Sequence, residues 1–152
     1  MDLPPIYRVR QKFPSRRLSD VRASVAEELA QAAFGADLKP GAKIAIGVGS
    51  RGITNISTIV GAAVAYWKSR GFEPFVFPAM GSHGKATAEG QVEMLGELGV
   101  TEQTTNMQII SDMAVRQVGI VDECGMPVFV AETALAADGV IVVNRVKPHT
   151  DF

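Results

Sequence analysis

The sequence predicts an α/β domain: a mainly parallel sheet flanked by helices, with an added β-hairpin. Three observations carry that reading. Through the first half of the chain, short runs of β-branched and apolar residues alternate with stretches whose apolar residues recur at helical spacing. Glycines stand where those helical stretches should close. Later, two β-runs flank Asp122-Glu123-Cys124-Gly125, the signature of a hairpin rather than a crossover. Strand–helix alternation implies a parallel sheet with right-handed connections. A length of 152 residues suits one domain with its own core.

The elements follow in order. The stretch through Arg17 is Pro-rich and basic and is expected as an extended arm over the domain. From Asp20 to Phe34 a helix is expected, with Val21, Val25, Leu29, Ala32 and Ala33 on one face and Gly35 as its C-cap. Lys39-Pro40-Gly41 is a turn, and Lys43 to Val48 a short buried strand. A second helix carries Ile56, Ile59, Val60, Ala63, Val64 and Trp67 and closes at Gly71. Pro74 to Phe77 is the second strand, ending at Pro78. The third helix presents Val92, Leu95 and Leu98 and stops at Gly99, and Met107 to Ile110 is the third strand. Gln117 to Val121 and Pro127 to Val130 form the hairpin, a short helix lies near Ala134, and Val140 to Val143 is the last strand.

Bulk properties exclude several function classes. Fifteen Lys and Arg against 16 Asp and Glu give no electrostatic case for nucleic acid or an anionic membrane surface. Apolar runs are broken by glycine or polar residues well short of a membrane span. The start, Met1-Asp2-Leu3-Pro4-Pro5, lacks the basic-then-apolar pattern of a signal peptide. Cys124 is the single cysteine, which rules out an internal disulfide and fits a reducing compartment; a cytoplasmic location is the expectation.

In an open, Rossmann-like sheet, ligands bind outside the carboxyl ends of the strands. Three loops should leave strands at that edge: Gly47 to Asn55, Pro78 to Thr87, and Asn144 to Phe152. The first reads Gly47-Val48-Gly49-Ser50-Arg51-Gly52, a literal G-x-G-x-x-G between strand and helix. A dinucleotide site also wants an acid where the next strand ends, but that strand ends in Phe77-Pro78-Ala79-Met80, and Glu73 lies at its beginning. Arg51 inside the loop suits a carboxylate or phosphate instead, with Ser50 and Gly52 beside it. The bland alternative is a tight turn with Arg51 on the surface.

In the second loop, Gly81-Ser82-His83-Gly84-Lys85, nearby glycines allow close backbone approach to a ligand and leave the imidazole accessible. Thr87 is placed to cap the next helix, with Glu89 in its first turn. Histidine is the side chain whose ordinary pKa suits proton transfer near neutrality. The third loop, Asn144-Arg145-Val146-Lys147-Pro148-His149-Thr150-Asp151-Phe152, crowds charge after the strongest β-run, and the chain stops inside it. It is expected to be cut from a longer protein. His83 and His149, the only two histidines, are expected to share one site, with Lys147 beside the second. Asp112 is expected as a turn former and Glu132 as solvated, and Cys124 has no partner at metal-ligand spacing. From the residues alone an anion- or nucleotide-binding module without catalysis stays open beside an enzyme.

Taken together, Gly49-Ser50-Arg51-Gly52-Ile53, Pro78-Ala79-Met80-Gly81-Ser82-His83-Gly84 with Ala86-Thr87-Ala88-Glu89-Gly90-Gln91, and Asn144 through Phe152 resemble the N-terminal domain of the lactate racemase-like family. The resemblance runs from about Leu38 to the end of the chain. It implies an isomerase, a racemase or epimerase of a 2-hydroxy acid or related hydroxy compound, that depends on a nickel-pincer nucleotide. It implies hydride transfer to that cofactor, with His83 and His149 moving the hydroxyl proton on opposite faces. Arg51 would meet an anionic substrate group. The expected partners are the small-molecule substrate and a C-terminal domain of the same protein, with neither nucleic acid nor membrane.

The sequence departs from the best-known racemases, which carry Asp-x-Thr-Arg-Pro at the first loop and Gly-Thr-His-Arg at the second. Here those places read Gly-Val-Gly-Ser-Arg-Gly and Gly-Ser-His-Gly, so substrate contacts differ and lactate is not the expected substrate. The family's cofactor-tethering lysine and nickel-ligating histidine lie downstream of the second histidine motif. Residues 1–152 alone are therefore expected neither to hold the cofactor nor to turn over.

Overall fold

A computed structural model describes residues 6–15 and 17–146. Its centre is a three-stranded parallel sheet in the order β2-β1-β5, from β1 (Lys43–Val48), β2 (Glu73–Pro78) and β5 (Gly139–Val143). The register pairs Lys43 with Glu73 and Val48 with both Pro78 and Val143, so all three strands end together. The β3 (Val115–Val121) and β4 (Met126–Ala131) pair forms a separate antiparallel hairpin, irregular in register between Gln117 and Gly119. The α/β class with an added hairpin is what the sequence predicted.

The period of two along each strand divides the core. Ile44, Ile46 and Val48 of β1 join Val76 of β2 on one face, under Ile56, Val60, Ala63, Val64 and Trp67 of α2 (Ile56–Ser69). Ala45 joins Phe75 and Phe77 on the other, against Ala134 of α5 (Glu132–Leu135) and the end of β4. Gly47 belongs to that second face, where the Phe77 ring lies 2.9 Å from the place a Cβ would occupy. A larger residue would push the ring out of the core.

The helices form where capping and spacing allow. α1 (Val21–Gln31) is capped by Asp20, whose carboxylate accepts the Ala23 amide at 3.0 Å, and it lays Val25 and Leu29 on the core. Ala32 and Ala33, expected on its buried face, are exposed because the helix has already ended. Gly71 and Gly99 adopt positive φ at the helix exits where the sequence places them. Gly35 is left-handed too but does not cap α1, which ends at Gln31 with Ala32 as its C-cap. α3 (Ala88–Glu97) packs near β2.

Four expectations need correction. Residues 6–15 of the arm do not lie on the domain: Ile6, Tyr7 and Val9 are exposed, Ile6 by 99%. Met107 to Ile110 is no strand; it meets β2 through a single parallel bridge, Val76 with Ile109. α4 (Glu102–Thr105) was not expected at all; Thr101 and Thr104 cap it reciprocally. On α3, Val92 is exposed and Gln91 is buried, the helix being rotated from the face its apolar residues suggest. Among the described residues no helix is long and apolar enough to cross a membrane.

Candidate functional site at the carboxyl edge of the sheet

The common ending of β2, β1 and β5 brings the two glycine-rich loops and the start of the third loop, Asn144 to Val146, to one edge. Backbone bonds stitch them together: the Ala79 amide donates to the Val48 carbonyl at 2.9 Å, and the Gly49 amide to the Val143 carbonyl at 3.1 Å. Gly49 also abuts the Asn144 side chain so closely that a Cβ there would collide with it. Asn144 in turn accepts the Arg145 amide on Oδ1 at 2.8 Å, fixing the first turn after β5.

In the first loop Ser50 and Arg51 are half-buried and Gly52 is exposed. Arg51 makes no ion pair with a described residue. The loop runs into α2, whose N-cap Asn55 is left-handed and makes no side-chain cap bond. No acidic residue stands in the first turn of that helix. Amides without a side-chain cap and the helix dipole make this corner receptive to an anion, and Arg51 lies four residues before the N-cap in the same loop. Glu73, opposite Lys43 at the other edge, is out of reach of this corner.

The second loop is built on unusual backbone. Gly81 and Gly84 have φ of 59° and 64°, and Lys85 and Ala86 are also left-handed within a short 3₁₀ turn, Gly84–Ala86. Left-handed conformation costs a non-glycine residue of order 1 kcal/mol, so the surroundings must impose it. They do so by contact. Gly84 and Gly90 touch backbone to backbone, and a Cβ on Gly84 would lie 2.5 Å from the Gly90 carbonyl carbon. Thr87 caps α3 by accepting the Gly90 amide at 3.1 Å. The Ser111 hydroxyl donates to the Ala88 carbonyl at 2.9 Å and ties the start of α3 to the segment that follows Met107 to Ile110.

His83 stands exposed within this frame. Its amide donates to the Met80 carbonyl at 3.2 Å, and its own carbonyl accepts the Ala86 amide at 3.3 Å. Backbone is held while the ring is free to meet a ligand. An open groove of about 380 Å³ runs beside the loop, lined by Met80, Gly81, Gln91, Met113, Phe129 and Val140. A cavity of about 350 Å³ between Lys43, Glu73, Met107 and Ala136 sits instead where the strands begin, away from the three loops.

The structure thus places His83 and the Ser50-Arg51-Gly52 loop at one edge. Lys147 and His149 lie outside the described residues. The weaker candidates behave as expected. Asp112 accepts the Ala114 amide at 2.9 Å in a turn, Glu132 meets Arg116 at 3.2 Å in solvent, and Cys124 is exposed in the hairpin turn. Sequence reasoning missed two residues: Asn144, which joins the first and third loops, and Gln91, whose amide reaches the second. A helix pattern that counts only apolar residues passes over a buried glutamine, and its i, i+4 spacing from Leu95 was the one available signal.

A family model described as the lactate racemase N-terminal domain matches residues 14–152. No curated protein and no solved structure matches the chain.

Proposed function

This chain belongs to the lactate racemase N-terminal domain family, and from that premise we propose that it carries the acid–base machinery of a racemase or epimerase of a 2-hydroxy acid or related hydroxy compound. The observation that carries the reading is the exposed imidazole of His83, backbone-clamped at the end of β2, on the same sheet edge as Arg51 and the strand leading to His149. Inverting a carbinol centre through a planar ketone requires a proton acceptor on each face. A ring nitrogen of His83 takes the hydroxyl proton on one face and returns it; His149 does so on the other. The Arg51 guanidinium holds the substrate's anionic group, aided by the Ser50 hydroxyl, the Gly52 amide and the charge of Lys147.

A nickel-pincer nucleotide, which the sequence resemblance implies, needs an anion site for its phosphate and ligands for its metal. The start of α2, which no side chain caps and no acidic residue faces in its first turn, fits the first requirement. The sequence resemblance puts the protein ligand to nickel downstream of the second histidine motif. When bound, the group would supply hydride acceptance, which side chains alone cannot. The C-terminal domain and the substrate are the partners this reading requires, and the departures at the first and second loops direct it to a hydroxy acid other than lactate.

The test is turnover of the complete, cofactor-loaded enzyme. His83→Ala and His149→Ala should each lower racemisation by about 10²–10⁴-fold, the usual worth of a positioned acid–base group. Near-normal turnover in either variant would sink the assignment. The start of α2 also favours a second reading, an anion-binding module without chemistry. Micromolar binding of NAD or a nucleoside phosphate, abolished by Arg51→Ala, together with no racemisation by the complete enzyme, would establish that reading instead.

A further inference from the structure

Gln91 is 4% exposed, whereas its neighbour Val92 is 39% exposed. Burying a carboxamide in place of an available valine costs free energy unless the amide is fully used. Its use is specific. Nε2 has two protons, and two carbonyls of the histidine loop face it: Gly81 at 2.7 Å and, more weakly, His83 at 3.4 Å. The bonds bracket His83, one on the carbonyl two residues before it and one on its own. Gly90, the residue preceding Gln91, is the point where α3 touches Gly84, so loop and helix meet backbone to backbone at the base of this side chain.

We propose that Gln91 is a positioning residue for His83: its buried amide selects one conformation of the Gly81–Gly84 loop and so fixes where the imidazole stands. The inference rests on the acid–base reading of His83 given above. A loop with left-handed residues at 81, 84, 85 and 86 has many near-equal backbone states, because two of the four are glycines. Carbonyl orientation at 81 and 83 distinguishes those states, and one donor group satisfying both carbonyls favours the state in which they converge. Proton transfer needs the ring nitrogen within hydrogen-bond reach of the substrate hydroxyl, so a small displacement of the loop is expensive in rate. Gln91 itself lines the groove beside the loop and touches the reaction only through His83.

The experiment has two arms. In the 152-residue chain, Gln91→Met keeps the volume and removes both donors. Amide exchange of His83 and Ala86 should accelerate about tenfold, the scale of a lost buried hydrogen bond, while amides of β1 and α2 stay unchanged. Unchanged exchange at His83 and Ala86 overturns the proposal whatever the activity does. If Gln91→Met loosens the whole domain, Gln91→Asn retains the donor on a shorter stem and should affect those loop amides alone. Global loosening by both variants would also overturn it, showing a packing role. In the complete enzyme, Gln91→Met should lower kcat about tenfold with KM little changed, and that loss should vanish in a His83→Ala background. An equal loss in both backgrounds contradicts action through His83. Should His83→Ala leave turnover intact, the acid–base reading fails, and the exchange arm still decides whether the clamp exists.

Discussion

The parallel sheet and the hairpin are both β-structure made of apolar residues, and they live in opposite environments. In β1, Ile44, Ala45, Ile46 and Val48 are wholly buried, each against a different layer according to the parity of its position. In the hairpin every residue from Val115 to Val128 is exposed, Ile120 by 58% and Met126 by 61%. The hairpin packs on the body where β4 ends, through Val130 and Ala131, and its open end is closed by the Glu132 amide donating to the Ala114 carbonyl at 3.0 Å. A two-stranded ribbon is marginal by itself, so its stability is borrowed from that junction. β-propensity made both regions strands; layers on both sides made only one of them core. The candidate-site loops leave the packed region, and contacts at its edge hold the left-handed backbone around His83.

Mutations should divide along the same line. Ile46→Ala removes a fully buried side chain from beneath α2 and should cost about 2–5 kcal/mol in denaturant unfolding. A cost under about 1 kcal/mol would mean that the sheet is not the stability centre. Gly90→Ala sets a methyl against the Gly84 carbonyl. It should cost about 1–3 kcal/mol and raise exchange at His83 before it affects α2, since the strain is local. Equal loss across the domain would show that the loop and the core are one cooperative unit. At the small end, Ile120→Ser on the hairpin should change stability by no more than about 0.5 kcal/mol. A larger loss would show that the hairpin packs on something in solution.

Much of the parallel sheet was legible because burial on both faces leaves a distinctive run: Ile44-Ala45-Ile46-Gly47-Val48 admits no polar residue. The glycine exits at 71 and 99 were legible for a related reason, since positive φ narrows the choice of residue. Met107 to Ile110 misled because its composition suits a strand while its only lateral partner is Val76. The Thr101–Thr104 turn was hidden because its reciprocal cap uses threonine at the third position, where the usual signature has Glu or Gln. In the candidate site, the three loops could be placed at one edge from strand order and motif alone. The supports could not. Asn144 beside Gly49 is a contact between segments far apart in sequence, and Gln91 beneath Gly81 falls outside an apolar helix pattern, with only its i, i+4 spacing from Leu95 to announce it.

The proposed roles put His83 and His149 on opposite faces of one carbon. Single-turnover consumption of each substrate enantiomer, measured separately in the complete enzyme, tests that claim most directly. His83→Ala should spare the first turnover of one enantiomer and suppress the other by about 10²-fold or more, the worth of a lost acid–base group, and His149→Ala should show the mirror pattern. Equal suppression of both enantiomers by each variant, or suppression of neither, would contradict the claim.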